Sequence, residues 1–470
     1  MSMRNFLSRG VTLSALLLAG NADAQSADAA LTAHVDSVYA RYAGKVPGCA
    51  VGIYQDGRIM FAKGYGLANL EYDVPITPTT PFIVGSVSKQ FTAAAIALLV
   101  EEKRIKLDDD VRKYVPELRD YGSRITIDNL VHHTSGLRDW WELVGMAGMR
   151  YDDTYSVQDV LDMTSRQRAL NFKPGDRYLY SNTGYILLGV VVQRVTGKSL
   201  REFAAERFFT PLGMTSSHFQ DDHRETVPGR AYAYSPVANG APTINVWNND
   251  LVGQGGVMTT VVDLQKWDEN FYSGTVGGAS FLQRQLERGK LNSDSTLSYA
   301  FGLIVGTYRG LPTVEHTGVT GGYRAAITRF PSKHTTITSL CNVSTAVPET
   351  LARRVADYVL RADLTTPVTL AGGAAPTATR AANATPVQWS NVNLERVVGS
   401  YYSAELDATY TVTRSGSALA LVRPRARPET LTARDAHTFT SSAGTIVFGA
   451  DAKSFMLNAG RVENVKFVRR

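Results

Sequence analysis

Beyond residue 30 the apolar positions fall into runs whose period changes along the chain. Leu31 to Tyr42 reads as a helix, and two strand-like runs then flank the turn Gln55-Asp56-Gly57-Arg58, a good hairpin signal. From Ser86 to Glu102 the stretch SVSKQFTAAAIALLVEE is apolar on nearly every face and rich in alanine, which predicts a helix buried inside the protein rather than lying on its surface. Helical and loop patterns continue to about residue 290. Strand patterns return at Tyr299 to Tyr308, Thr313 to His316, Tyr323 to Arg329 and Thr335 to Asn342, followed by a helix from Pro348 to Leu360. Strands, then helices, then strands and a helix predict an α+β fold, an antiparallel sheet assembled from both chain ends beside an all-helical region.

The pattern breaks at two places. Residues 364–388 are dominated by Ala, Thr, Pro and Gly with few large apolar side chains, which marks a linker between an α+β unit at 25–363 and a last unit at 389–470. That last unit alternates in short strands such as Thr409 to Thr413 and Ala418 to Val422, and reads as a small all-β barrel of about eight strands. At the other end, Arg4 and Arg9 precede the apolar run Val11 to Gly20, and Ala22-Asp23-Ala24 offers a small-x-small cleavage site, so residues 1–24 are expected to be a signal peptide. Asn21 stands where a lipidated cysteine would have to be, which rejects a lipid anchor; a periplasmic or secreted location without membrane anchoring is the expectation.

Composition adds exclusions. With 470 residues, two or three folding units are allowed at roughly 150 residues each. A charge of +6 comes from short mixed runs, without the Lys/Arg stripe that a nucleic-acid groove needs, and implies solubility with weak attraction to anionic surfaces such as a cell wall. The two cysteines, Cys49 and Cys341, are too few for a zinc site. Both lie in strand-like runs; the favoured reading is two buried thiols, with one bridge open if those strands are neighbours.

Three strings carry chemistry. Ser86-Val87-Ser88-Lys89 opens the buried helix, where residues three apart share a face, so Lys89 can reach the Ser86 hydroxyl as a nucleophile's base must. The helix start also offers the Ser86 backbone N–H to a developing oxyanion. Tyr180-Ser181-Asn182 sits on a loop between the turn Lys173-Pro174-Gly175-Asp176 and an apolar helix from Gly184 to Thr196, and His316-Thr317-Gly318 ends a strand before a Gly321-Gly322 turn.

In this order the three strings resemble the motifs of the serine β-lactamase and penicillin-binding protein superfamily, in the branch of class C β-lactamases, serine D-aminopeptidases, D,D-carboxypeptidases and related esterases. The resemblance covers Val38 to about Leu360 and includes His132 to Leu137 and the run Gly253 to Thr260 followed by Asp263-Leu264. It implies Ser86 as nucleophile, Lys89 and Tyr180 as shared general base and acid, and Asn182 as holder of the substrate's acyl-side amide. It also implies His316 in the third-motif cation position, a Val319 backbone N–H completing the oxyanion hole, and a strand edge at Thr317 and Gly318 that pairs with an extended substrate. The family's β-lactamases usually carry lysine where this chain has His316, and a histidine of unperturbed pKa about 6.5 would give a weaker, pH-dependent charge for a substrate carboxylate. The last unit resembles the lipocalin-like accessory domains of D-aminopeptidases and uncharacterised serine hydrolases.

Each residue also has a plainer reading. Without the other motifs Ser86 would be an N-cap, Lys89 a surface lysine and Tyr180 a packed aromatic. Arg324 divides equally between clamping a carboxylate and lying solvated on its strand. His132, His133, His218, His223, His334 and His437 lack a metal spacing, and Asp108 to Asp110 caps or solvates the next helix. No phosphate loop, H-E-x-x-H or G-x-S-x-G occurs, and neither cofactor nor metal is expected. The expected function is a serine hydrolase forming an acyl-enzyme on Ser86 with D-amino-acid-containing peptides or small amides and esters, cell-wall-derived ones among them. The alternatives are a class C-like β-lactamase and a penicillin-binding sensor without turnover.

Overall fold

The fold comes from a computed structural model that describes residues 29–365 and 391–470, apart from 239, 417 and 436. The expected signal peptide at 1–24 and nearly all of the expected linker at 364–388 lie outside the described residues.

The hairpin of β1 (Cys49–Gln55) and β2 (Arg58–Tyr65) turns through Asp56 and Gly57, both at positive φ (48° and 74°), a conformation that Asp-Gly adopts at little cost. After a long helical excursion the chain returns as β3 (Ile304–Tyr308), β4 (Leu311–Thr320), β5 (Tyr323–Phe330) and β6 (Thr335–Cys341). The six strands are ordered β3-β4-β5-β6-β1-β2 with every pair antiparallel, so the sheet is assembled from both ends of this unit. The β1–β6 register sets Cys49 opposite Cys341, and the two are joined at 2.09 Å. This corrects the favoured reading of separate thiols: alternation could place each cysteine on a strand, whereas only the pairing of distant strands makes them neighbours.

Both faces of the sheet are covered, which is why β1 reads as a continuous apolar run rather than an alternating one. The helix over residues 29–39 packs on one side, with Val35 and Tyr39 in the same buried cluster as Val51 and Ile53. The buried helix runs through the opposite layer as α1 (Lys89–Glu101), preceded by a tighter turn over Gly85–Ser88, and every side chain from Lys89 to Leu99 is buried. Its Phe91 ring lies 4.4 Å from that of Trp267, so Phe91→Ala should cost about 3–5 kcal/mol.

Around α1 sit α2 (Trp140–Met146), α3 (Asn182–Thr196) and α4 (Val261–Ser273), while α5 (Pro348–Val359) closes the far face of the sheet. Helix ends follow local chemistry. The Ser181 hydroxyl accepts from the Gly184 amide to start α3, and Gly197 at φ 75° ends it. Asp110 caps the short turn after it by accepting from the Arg112 amide, as expected.

Residues 399–469 form a closed eight-stranded antiparallel barrel, its first strand (Gly399–Ser403) pairing with its last (Val462–Arg469) at Tyr401↔Arg469. Inward-facing Tyr401, Tyr410, Phe448, Phe455 and Phe467 fill the interior, with Phe455 and Phe467 stacked at 4.6 Å. The barrel is seated on α2 and shares a buried cluster with Trp140, Leu143, Val144 and Met146. Tyr410 donates to the Met146 carbonyl at 2.6 Å, and the buried Arg138 pairs with the buried Glu405. Among the described residues no helix is long and apolar enough to cross a membrane.

Candidate active site

The approach of β4 to the start of α1 shapes the site. A Cβ on Gly318 would lie 1.9 Å from the Val84 carbonyl oxygen, and one on Gly85, at φ 51°, would lie 2.7 Å from the Val319 nitrogen. Two glycines are therefore required for strand and helix to meet, and their contact brings the Ser86 and Val319 amides to one place. β3 pairs with β4 only from Leu311 to Glu315, which leaves residues 316–320 with β5 as their one ladder partner.

Lys89 is fully buried, with Nζ 3.1 Å from Ser86 Oγ, 3.0 Å from Asn182 Oδ1 and 2.6 Å from the Gln254 carbonyl oxygen; in its neutral form the amine donates to the last two and turns its lone pair to the Ser86 hydroxyl. Burial pushes its pKa well below the ordinary lysine value; nearby Asp139 opposes that shift and Arg461 adds to it. Among the described residues no carboxylate touches the amine to offset its burial, so it is held toward its neutral form. The Tyr180 hydroxyl is buried without a well-formed hydrogen bond; burial pushes its pKa up, and its interaction with Ser86 offsets part of that rise. The Lys89 amine also sits 4.8 Å from the Tyr180 ring centre. Ser86, Lys89, Tyr180 and Asn182 thus meet as the three strings imply.

The residues holding this group carry no familiar signal. Asp139 accepts from the Asn182 amide at 2.6 Å through one oxygen and from the Trp141 amide at 3.1 Å through the other, tying α2 and α3 together beneath the site. His133, at φ 59°, accepts at Nδ1 from the Ser181 amide at 3.1 Å and lies with its ring 4.1 Å from Tyr180. Trp140 donates through its indole to Gln254 Oε1 at 2.9 Å, bracing the loop whose carbonyl receives Lys89. His133 lies in the run His132 to Leu137 that the resemblance includes, whereas Asp139, two residues beyond that run, and Arg461, from the barrel, lie outside every string singled out in the sequence.

Two expected residues do not present a cation to the cleft. His316 is buried, with Nδ1 2.6 Å from its neighbour's Thr317 carbonyl and Nε2 3.1 Å from the Tyr299 hydroxyl. Burial and the adjacent Lys89 push its pKa down to about 4, so it is neutral at neutral pH and does not form the pH-dependent cation expected near 6.5. Arg324 turns back on its own hairpin, donating to the Gly321 and Tyr323 carbonyls at 2.8 and 2.7 Å. Its strand position invited a clamp; the tight turn beside it consumes the guanidinium instead. Val319, by contrast, is exposed and lines the cleft.

The cleft over Ser86 has a volume of about 660 Å³. Trp140, Trp141, Tyr151 and Trp247 give it an aromatic side, and Arg461 lines it as well. Asp222, His223 and Asp250 lie close enough together to suggest a metal, yet Asp250 accepts both the backbone and ring nitrogens of His223 and Asp222 pairs with Arg224.

The chain resembles known proteins over the same region. A family model described as Beta-lactamase matches residues 27–361. A D-aminopeptidase of Gluconobacter oxydans (strain 621H) is 29% identical over 320 residues, 67% of this chain but 59% of that protein, so the match spans less than two thirds of the relative's own length. The octameric penicillin-binding protein homologue from Pyrococcus abyssi superposes with a TM-score of 0.63 at 25% identity, covering 94% of this chain and 99% of that one. The D-amino acid amidase from Ochrobactrum anthropi SV3 shares the fold at a TM-score of 0.58 and 22% identity, covering 71% of this chain and 99% of its own. With the family model spanning the sheet, the helical region and all three strings, the chain belongs to the beta-lactamase family.

Proposed function

We propose that the chain is a serine hydrolase that forms an acyl-enzyme on Ser86 with small amides, peptides or esters of D-amino acids. The observation that carries the reading is a buried Lys89 amine, held toward its neutral form, 3.1 Å from Ser86 Oγ. A neutral amine accepts the hydroxyl proton as Oγ attacks the substrate carbonyl; an ammonium does not. The new Oγ–C bond puts negative charge on the carbonyl oxygen, where the Ser86 and Val319 amides are available to stabilise it. Collapse breaks the bond to the leaving amine or alcohol, which takes the proton through Lys89 and Tyr180. Water then repeats the sequence on the acyl-enzyme and regenerates Ser86. Asn182 is proposed to orient the acyl-side amide and the edge at Thr317 and Gly318 to align an extended substrate.

The neutral His316 favours this reading over a class C-like β-lactamase, because the third string then supplies no cation for a β-lactam carboxylate. Residues 1–24 are proposed to direct export, after which the chain would begin at Gln25. The catalytic unit at 25–363, the linker at 364–388 and the barrel unit at 389–470 are the proposed domains. The deciding experiment is a panel of D- and L-amino acid amides, D-Ala-D-Ala peptides, p-nitrophenyl esters and nitrocefin, with mass spectrometry of the protein after each. Turnover of D-amides with a transient adduct on Ser86 is expected. A stable adduct without turnover would make the chain a sensor, and nitrocefin turnover exceeding that of the amides would make it a β-lactamase.

A further inference from the structure

With His316 neutral, Arg324 bound to its own hairpin and Lys89 buried among three polar partners, none of the cations expected from the motifs faces the cleft. One cation from elsewhere does. Arg461 lies at the tip of the barrel hairpin between Ser454–Ala459 and Val462–Arg469, and its guanidinium sits 5.7 Å from the Tyr180 ring centre on the cleft wall.

The hairpin is held there by its backbone. Asn171 donates through Nδ2 to the Arg461 carbonyl at 3.0 Å and accepts at Oδ1 from the Glu463 amide at 2.8 Å. The buried Arg138 donates to the Glu463 and Asn464 carbonyls at 3.0 and 2.9 Å. These four bonds fix the tip without using the Arg461 side chain. Its guanidinium makes two long contacts, both through Nη2, to Asp139 Oδ1 at 3.3 Å and Glu142 Oε1 at 3.6 Å. Both Asp139 oxygens already accept backbone amides, and burial pushes the Glu142 pKa up, so neither carboxylate satisfies the guanidinium fully. Among the described residues no hydrogen bond or ion pair engages its Nε or Nη1. Asp152, an acid that does line the cleft, is paired with Arg150.

We infer that Arg461, delivered by the barrel, binds a carboxylate of the substrate, so that the chain selects D-amino-acid compounds carrying a free carboxylate over their neutral counterparts. The proposal deepens the function proposed above and rests on it for the class of substrate. A guanidinium with unused donors on a cleft-lining residue suits a carboxylate, which it can bind through two parallel hydrogen bonds, and is a poor receiver for a substrate amine. Aromatic rings pack the barrel interior, and the hairpin tip is the part of the barrel that lines the cleft.

The test is binding, read by calorimetry on Ser86→Ala protein so that turnover does not intervene. One probe pair carries the charge on the leaving side, N-acetyl-D-phenylalanyl-D-alanine against its C-terminal amide. The other carries it on the acyl side, N-succinyl- against N-acetyl-D-phenylalanine amide. At least one carboxylate should bind about 10-fold or more tightly than its neutral partner. Arg461→Gln should abolish that preference while leaving neutral-probe affinity within about 3-fold, and Arg461→Lys, which also guards against misfolding of the Gln variant, should retain part of it. Equal affinities within both pairs, a preference that survives Arg461→Gln, or tighter binding of the free amine D-phenylalanine amide than of either acid would overturn the inference. Turnover of neutral D-amides by the Ser86 enzyme is measured separately. Carboxylate selection without turnover would sink the hydrolase reading alone, and turnover without selection would sink only the role of Arg461.

Discussion

The barrel and the six-stranded sheet are built from the same antiparallel pairing and differ in what they leave unpaired. The barrel closes on itself through Tyr401↔Arg469, so it has no edge, and a column of aromatic rings packs its interior. In the sheet, β3 pairs with β4 only as far as Glu315 and β4 runs on to Thr320, which leaves a strand edge beside the first turn of α1. Next to that edge the protein buries Lys89 without a carboxylate partner and the Tyr180 hydroxyl without a well-formed bond. Burying polar groups this way is costly, and the cost is accepted where reactivity is gained. Among the described residues, the barrel reaches the cleft through one hairpin tip.

The largest effect that sharpens this contrast is at the unpaired end. Ser86→Ala should lower hydrolysis of every substrate by at least about 10⁴-fold and remove the covalent adduct, with thermal unfolding nearly unchanged because a single hydroxyl is lost. Labelling that persists at another residue would show that the edge does not mark the site. Next comes the buried amine. Lys89→Arg keeps a charge that cannot act as a base and should lower kcat/KM by about 10³-fold. In the wild type, activity should rise with pH through the depressed Lys89 pKa as the amine becomes neutral. A pH profile with no ascending limb, or one shared by Lys89→Arg, would remove the amine from its role.

The junction between the two regions gives a smaller effect, read in stability. Arg138 is buried against Glu405 and also bonds Gln167 and the hairpin carbonyls of Glu463 and Asn464. Arg138→Met leaves the Glu405 carboxylate buried and unpaired, which should cost about 3–5 kcal/mol in denaturant unfolding. Pairing it with Glu405→Leu should recover part of that loss, since the stranded charge is gone. A double variant as unstable as the single one would mean that the backbone bonds to the hairpin, rather than the ion pair, hold the barrel.

Much of this was legible in the chain because it is local. Ser86 and Lys89 share a helical turn, the Asp56-Gly57 pair specifies a hairpin, and α1 declares its burial by lacking a polar face. The Ser-x-x-Lys, Tyr-x-Asn and His-Thr-Gly strings converge as expected. What escaped depends on tertiary contact. The Cys49–Cys341 bridge needs β1 beside β6, the neutral state of His316 needs the burial around Tyr299, and Arg461 needs a barrel docked on α2. No window of neighbouring residues encodes any of these, and a histidine or arginine looks the same in sequence whether it faces a cleft or its own backbone.

The smallest effect isolates His316. Its folded pKa is pushed down to about 4, whereas the unfolded histidine titrates near 6.5. Between those values the unfolded chain binds more protons than the folded one, so stability falls as pH falls. The contribution of the neutral ring is complete above about 6.5 and is lost toward about 4, a difference of about 3 kcal/mol at full expression. His316→Gln keeps a neutral side chain able to hydrogen bond to the Tyr299 hydroxyl and does not titrate. Denaturant unfolding of the two proteins at pH 7.5 and pH 4.5 should therefore show the gap between them shifting in favour of His316→Gln in acid. The kcat/KM ratio for a carboxylate substrate and its neutral counterpart should show no inflection near 6.5 in either protein. A gap that stays constant, together with a ratio that inflects near 6.5, would restore His316 as an exposed cation and move carboxylate recognition from the barrel back to the sheet.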